Sequence, residues 1–320
     1  MEEIQKQIAN IVSELMPQLC ALSDEIFDYA EPGYEEYRSF CAVYRHKGGR
    51  AAGGRAVGFL GEYDALRGQG HGCAHHMQTP AMIGAAMALR GVLESSDQPF
   101  EIHVIGTPSE ESLDGGKNEM AAHGGFDHID VAFMVHGSTL TQLETPSLAL
   151  IEMDVEFHGK TAHAGIAPYA GRSAVDAVTM LQTGLGLMRN HLKDSSRVSN
   201  IVLAGGTAVN SVPDFAKVKV EIRHSSMAYL ESVEQWTREI AQAAAMATQT
   251  QVQITPVAHI YNTTINDAMG ALLMECAEKF ACDGIAPPRK DCGSTDFGAV
   301  THRLPSCCLR VKTIETDHPP

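Results

Sequence analysis

Phe100-Glu-Ile-His-Val-Ile-Gly-Thr-Pro-Ser-Glu-Glu111 opens as an apolar run and closes on two adjacent carboxylates. Such a run, stopped by Pro108, reads as a buried strand that delivers Glu110 and Glu111 to its carboxyl end. Comparable segments lie on either side, one leading into Cys73-Ala-His75 and the other, 131–135, finishing in Val135-His136. In an open parallel sheet every strand brings its carboxyl end to one crevice, so residues distant in sequence meet there. Three strand ends bearing metal-ligand side chains point to a metallohydrolase.

Working outward, Ile4, Ile8, Ile11, Val12, Leu15 and Leu19 recur at helical spacing. They predict an amphipathic helix that ends before Glu31-Pro-Gly33 and covers a sheet. Strands are predicted at 56–60, 102–105 and 131–135 and a helix at 81–93, a βαβ series that implies a parallel sheet. After Pro146 the texture changes: 148–157 alternates apolar and polar residues, as in a sheet with one wet face. A second domain is expected there. It continues through a helix at 174–191, a turn at Gly205-Gly206, a strand at 215–222, a helix at 229–248 and a strand at 252–257. A helix at 268–280 and the segment Ser294-Thr-Asp-Phe-Gly298 then return to the first domain. The predicted organisation is 1–146 with 258–320, interrupted by 147–257.

Composition narrows the classes. At 320 residues there is room for two domains. No apolar stretch approaches the roughly 18 residues of a membrane span. Met1 leads directly into Glu2-Glu3-Ile4 with no basic segment and hydrophobic block, so a cytoplasmic protein is expected. Eight scattered cysteines make no disulfide framework in a chain this long, and reduced thiols are expected. Acidic residues number 39 against 24 basic, a net charge of −15 with no Lys/Arg stripe, which argues against nucleic acid as a partner. An anionic substrate would need a few placed cations to overcome that field.

The chemistry concentrates in Gly68-Gln-Gly-His-Gly-Cys73-Ala-His75-His76, where glycines allow a tight path after Glu62-Tyr-Asp64. A thiolate and an imidazole two positions apart suit Zn, Mn or related divalent ions, with Asp64 placed to orient a ligand from behind. A lone Cys-x-His equally fits a buried thiol beside a loop histidine; convergence with the other strand ends is what favours metal. Consecutive residues leaving a strand point in different directions, so one carboxylate of Glu110-Glu111 can bind metal while its neighbour, facing solvent, handles the attacking water. An isolated Glu-Glu would be a solvated turn, but this pair follows a buried strand and precedes Gly115-Gly116. A dinucleotide-binding unit is the rival reading, and it fails because Gly68-x-Gly70-x-x-Cys73 lacks the third glycine. No Gly-x-Ser-x-Gly elbow of a serine hydrolase occurs.

Several segments carry a family resemblance: Phe59-Leu-Gly-Glu62-Tyr-Asp64-Ala-Leu66, Gly70-His-Gly-Cys73-Ala-His75, Gly106-Thr-Pro-Ser-Glu110-Glu111, Phe157-His-Gly-Lys-Thr-Ala-His163-Ala, Asn210-Ser-Val-Pro213 and Gly293-Ser-Thr-Asp296-Phe-Gly298. As a set they resemble the dinuclear metallo-amidohydrolases and carboxypeptidases related to aminoacylase and glutamate carboxypeptidase, in the branch of aminobenzoyl-glutamate hydrolase and the Xaa-Arg dipeptidases. The resemblance implies an α/β fold: a mostly parallel-sheet catalytic domain with helices on both faces, plus an inserted smaller α+β dimerisation or lid domain. It implies Glu110 as general base, two divalent metal ions (Zn or Mn) held by Cys73, His75, Glu111 and His136, and a homodimer. His163 resembles a histidine that reaches across the dimer to steady an oxyanion, and Asn210 and Arg223 resemble residues that hold a substrate carboxylate. The implied reaction releases an amino acid from a dipeptide or an N-acyl or aminobenzoyl amino acid by metal-activated water. Departures are Ala74 and His76 within the Cys-x-His loop, a short 37–55 segment, and a further histidine ligand expected beyond Pro320, with His318 nearby. A non-catalytic relative acting as a binding scaffold is the alternative those departures leave open.

Overall fold

The computed structural model describes the chain apart from residues 1, 40–43, 49–53, 95, 97, 113–114, 144, 281–283, 289–292 and 315–320. His318 lies outside the described residues. The chain begins with helix α1 (Glu2–Tyr29), strands β1 (Tyr44–Gly48) and β2 (Arg55–Glu62), helix α2 (His75–Leu93), strand β3 (Phe100–Thr107), helix α3 (Gly116–Ala122) and strands β4 (Val131–Ser138) and β5 (Gln142–Leu143). It continues with β6 (Ala149–His158), α4 (Ala174–Arg189), β7 (Arg197–Ala204), β8 (Phe215–His224), α5 (Met227–Thr248) and β9 (Gln251–Ile260), and closes with α6 (Asp267–Phe280), α7 (Phe297–Thr301) and β10 (Ser306–Lys312). Two compact units result: Met1–Pro146 with Thr263–Pro320, and Ser147–Asn262.

The first unit is built on a six-stranded sheet of order β1-β3-β2-β4-β10-β5. Its four central strands run parallel, and the two edge strands are antiparallel to their neighbours. β2 and β3 are buried along nearly their whole length, as expected of parallel strands covered on both faces. From β2 the chain crosses one way to β3 and then back past β2 to β4. The rule that such crossovers are right-handed calls for α2 and α3 on opposite faces, since the two connections run in opposite directions. The switch point between β2 and β4 is where such sheets open a crevice. α2 presses so closely on β2 that a Cβ at Gly61 would lie 2.5 Å from Thr79 Oγ1, and that hydroxyl donates to the Glu62 carbonyl at 2.8 Å.

Helix α1 departs from its expected place: it packs against α2 rather than directly on the sheet. The small residues Gly84 and Gly91 of α2 admit the side chains of Leu19 and Ile11, which makes α1 an outer layer.

The second unit is an antiparallel sheet of order β7-β8-β6-β9 with α4 and α5 packed on it. Alternation in β6 sends Ile151, Met153, Val155 and Phe157 into a core shared with Val218 and Val220 of β8, Leu181 and Leu185 of α4 and Leu230 and Val233 of α5. Truncating Phe157 to alanine in such a core costs about 3–5 kcal/mol. Lys217, Lys219, Asp154 and Glu156 pair across β6 and β8 from the intervening positions. Strand β7 has no counterpart in the local pattern, because it is an edge strand with Ile201 and Leu203 more than half exposed.

Candidate metal centre

The three expected strand ends converge within the first unit. β2 runs out into Glu62, Tyr63 and Asp64; α2 opens on His75, just after Cys73 and the left-handed Ala74 (φ 62°); β3 leads through Pro108 and Ser109 to Glu110 and Glu111; β4 carries His136 near its end. Asp64 ties two of these segments together. His75 Nδ1 lies 3.0 Å from both the Asp64 carbonyl oxygen and its Oδ1, so this nitrogen is the protonated one and donates to them. The other carboxylate oxygen of Asp64 accepts from the Glu111 backbone N–H at 2.9 Å.

His75 Nε2 is thereby turned forward. It lies 3.1 Å from Glu62 Oε2 and 3.9 Å from Glu111 Oε1, yet neither it nor Glu111 Oε1 has a hydrogen-bond partner, though both atoms are buried. Ligand atoms of Cys73, His75 and Glu111 all lie within 4.8 Å of one another, as do those of Glu62, His75 and His136. Buried, unsatisfied donor atoms of this kind are costly unless something fills the space between them. A thiol, an imidazole and a carboxylate form a donor set that fits a divalent cation.

The local electrostatics ask for positive charge. Burial works against charging His75, but Glu62, Asp64 and Glu110 outweigh it and push the imidazole up to about 10. Burial, the Glu111 hydrogen bond and the surrounding carboxylates hold the Cys73 thiol far above its usual range, so a thiolate there needs a cation beside it. His136 behaves oppositely. Burial foremost, with Arg310 and His75, outweighs the pull of Glu62 and sends it down to about 4, leaving a neutral imidazole. Its Nδ1 donates to the Gly137 carbonyl at 2.6 Å, which leaves Nε2 as the lone-pair nitrogen.

Glu110 does not face solvent as expected. It is half-buried, and its carboxylate gathers with those of Glu62 and Asp296 within 4.8 Å. One lysine serves this acidic cluster: Lys117 Nζ donates to Glu62 Oε1 at 2.5 Å and to Asp296 Oδ1 at 2.7 Å, all three side chains fully buried. Burial opposes ionisation of Glu62, but Lys117 and His75 hold it well below the usual carboxylate range. Burial and the charges of Glu62 and Asp296 push Glu110 the other way, to a raised proton affinity. Local sequence assigns no part to Glu62, Lys117 or Asp296. The available signals are a lone lysine after Gly115-Gly116 and the carboxylates of two quoted motifs.

His163, Asn210 and Arg223 belong to the second unit. His163 and Asn210 are exposed and lie on paired segments, with a bridge between His163 and Ser211 and the Ala164 N–H donating to the Asn210 carbonyl at 2.9 Å. Arg223 sits at the far end of β8, eight residues beyond Phe215, roughly 26 Å along the strand. Its guanidinium is forked onto Glu221, Nε to Oε1 at 2.8 Å and Nη2 to Oε2 at 2.9 Å. Arg223 thus stands at the end of β8 remote from Phe215 and from the segment that leads on from Asn210.

A cluster of thiol, imidazole and carboxylate donors at the carboxyl ends of the parallel strands, with a carboxylate of raised proton affinity alongside, is the donor set of a metal-dependent hydrolase. The chain belongs to peptidase family M20/M25/M40, whose model matches residues 58–320, and it is a hydrolase of amide bonds. It is 32% identical to the Xaa-Arg dipeptidase of Mus musculus over 95% of its own length and 79% of that protein's. It is 29% identical to a component of the p-aminobenzoyl-glutamate hydrolase of Escherichia coli (strain K12), over 84% of this chain and 64% of that one. In fold it resembles the aminobenzoyl-glutamate utilization protein from Klebsiella pneumoniae, with a TM-score of 0.78, 19% identity, and coverage of 96% and 94% of the two chains. It also resembles a dinuclear metal-binding M20 peptidase from Bacillus subtilis, with a TM-score of 0.71, 16% identity, and coverage of 96% and 92%. Among the described residues no helix is long and apolar enough to cross a membrane.

Proposed function

We propose that the protein releases an amino acid from a dipeptide or from an N-acyl or aminobenzoyl amino acid that carries a free carboxylate. The relatives named for Xaa-Arg dipeptides and for p-aminobenzoyl-glutamate share that chemistry, an amide nitrogen borne by an amino acid. The observation that carries the reading is the pair of buried atoms without a hydrogen-bond partner, His75 Nε2 and Glu111 Oε1, beside Cys73.

Cys73, His75, Glu111 and His136 would hold two divalent cations, Zn or Mn, with Asp64 fixing the His75 ring and the Glu111 backbone. The cations supply a Lewis acid for the amide carbonyl and lower the pKa of water to near neutrality. Glu110 moves the proton: as base it takes one from the attacking water, and its raised affinity lets it hold that proton until the leaving amine accepts it. His163 and Asn210, exposed on the second unit, are assigned to the substrate of a partner copy, where a histidine can donate to the developing oxyanion. The edge strand β7, with Ile201 and Leu203 exposed, and Leu187 of α4 offer apolar surface for that homodimer. Arg223 remains the cation for the substrate carboxylate and must exchange Glu221 for it. A cytoplasmic setting is part of the same proposal, resting on eight scattered cysteines that make no disulfide framework in the sequence.

Elemental analysis of purified protein, followed by amino-acid release from Xaa-Arg dipeptides, p-aminobenzoyl-glutamate and their carboxamides, tests the reading. Bound divalent metal, turnover of the acids above the amides, and a kcat about 10²- to 10⁴-fold lower in Glu110→Gln with metal retained are expected. Folded, metal-free protein without turnover would overturn it in favour of a binding scaffold.

A further inference from the structure

The segment that follows α1 is fastened over the turn that carries Glu110 and Glu111. Pro32 pairs with Ala65 in parallel fashion, and the Ala65 N–H donates to the Glu31 carbonyl at 2.8 Å, binding the segment to the loop after β2. The Glu31 carboxylate then closes the segment on itself, accepting from the N–H of Arg38 at 3.0 Å and from the N–H and hydroxyl of Ser39 at 2.7 and 2.8 Å. This closure turns Glu36 inward, where it is 8% exposed, an unusual position for a carboxylate. There Glu36 Oε1 accepts from the Ser109 backbone N–H at 2.7 Å.

Ser109 is no ordinary partner. It is fully buried and has φ of 62°, left-handed backbone that L side chains rarely adopt. It immediately precedes both carboxylates. Its carbonyl accepts from the Gly116 N–H at 3.2 Å and from the Ser112 hydroxyl at 3.0 Å, so the turn is held on that side as well. Gly33 comes so close that a Cβ there would lie 2.6 Å from Ser109 Oγ and 3.0 Å from Ser109 Cα. If the N–H lost its acceptor, it would be a buried, unsatisfied donor in a disfavoured conformation, and relaxation to negative φ would re-aim the next two side chains.

We infer that Glu36 is a positioning residue for hydrolysis: its buried carboxylate holds the Ser109 N–H and so fixes the left-handed turn that aims Glu110 and Glu111 into the crevice. The inference rests on the proposed part of Glu110 in proton transfer, and it assigns Glu36 no contact with substrate.

Glu36→Met keeps the volume and removes the acceptor, whereas Glu36→Gln keeps an acceptor oxygen; Glu36→Ala takes the place of the Met variant should that protein not fold. With metal content matched and rates expressed per folded molecule, the Met variant should lose about 10- to 100-fold in kcat with KM within about two-fold, the scale of a small misplacement of reacting groups. The Gln variant should keep at least about half the wild-type rate, since the oxygen rather than the charge holds the turn. Adding Ser109→Gly to Glu36→Met should recover kcat several-fold, because glycine adopts positive φ unaided. Wild-type kcat in Glu36→Met while Glu110→Gln is inactive would overturn the inference, as would equal losses in Met and Gln or no recovery with glycine. Full turnover in Glu110→Gln would instead sink the functional reading. Amide hydrogen exchange at Ser109 then decides the matter alone: slow in wild type and Gln but fast in Met upholds the part given to Glu36, and equal rates overturn it.

Discussion

Lys117 and Asp296, 179 positions apart, are joined twice: Nζ donates to Oδ1 at 2.7 Å and the backbone N–H of Lys117 donates to Oδ2 at 2.9 Å. The same ammonium holds Glu62 at the end of β2, so one cation stitches β2, the start of α3 and the approach to α7 beneath the crevice.

Removing that cation should unfold the protein readily. Lys117→Met removes the one ammonium shared by Glu62 and Asp296, both fully buried, and leaves Glu62 with His75 and Gln78 alone; breaking such a buried pair costs about 3–5 kcal/mol. Urea unfolding followed by circular dichroism measures the loss. A midpoint within experimental scatter of wild type would show that the two carboxylates do not rely on Lys117.

Asp64 should control metal affinity without touching metal. It accepts from the His75 ring and from the Glu111 backbone, so Asp64→Ala loosens two proposed ligands while leaving both present, His75 keeping only the Asp64 backbone carbonyl as acceptor. Loss of such an orienting carboxylate weakens binding by about 10- to 100-fold. Competition against a chromogenic chelator provides the affinity, and an unchanged value would mean that packing alone orients His75.

Glu31 sets a pH-dependent contribution to stability. Burial opposes its ionisation, but the N–H and hydroxyl of Ser39 and the N–H of Arg38 prevail and hold the carboxyl below its ordinary value of 4.5. A carboxyl with lowered pKa in the folded state stabilises above its unfolded value, and that contribution disappears as pH falls through the folded one. Glu31→Gln should therefore have a lower urea midpoint than wild type at pH 7, and the gap should close as the solution is acidified below pH 4.5. A gap independent of pH would assign the effect to shape rather than charge.

Much of the architecture was legible locally. The runs at 56–60, 102–105 and 131–135 are continuous and apolar because parallel strands buried on both faces tolerate little else, and each reappears within β2, β3 or β4. The alternation at 148–157 marks β6 for the complementary reason, one face on a core and the other carrying ion pairs. Strand β10 escaped notice: Ser306–Lys312 carries no distinctive period, and it becomes a strand through its parallel register on β4.

Residue types and strand-end positions pointed to Cys73, His75, the Glu110-Glu111 pair and His136, since coordination chemistry restricts which side chains can serve and sheet topology restricts where they meet, and the family resemblance implied which of the two glutamates is the ligand. Tertiary structure decided the rest: that Glu110 turns toward Glu62 and Asp296, that Lys117 neutralises the pair, that Glu36 holds Ser109, and that Arg223 is forked onto Glu221 near the end of β8. Periodicity and capping are properties of neighbouring residues, whereas desolvation and charge pairing depend on which distant groups share a buried volume, and only the folded chain specifies that volume.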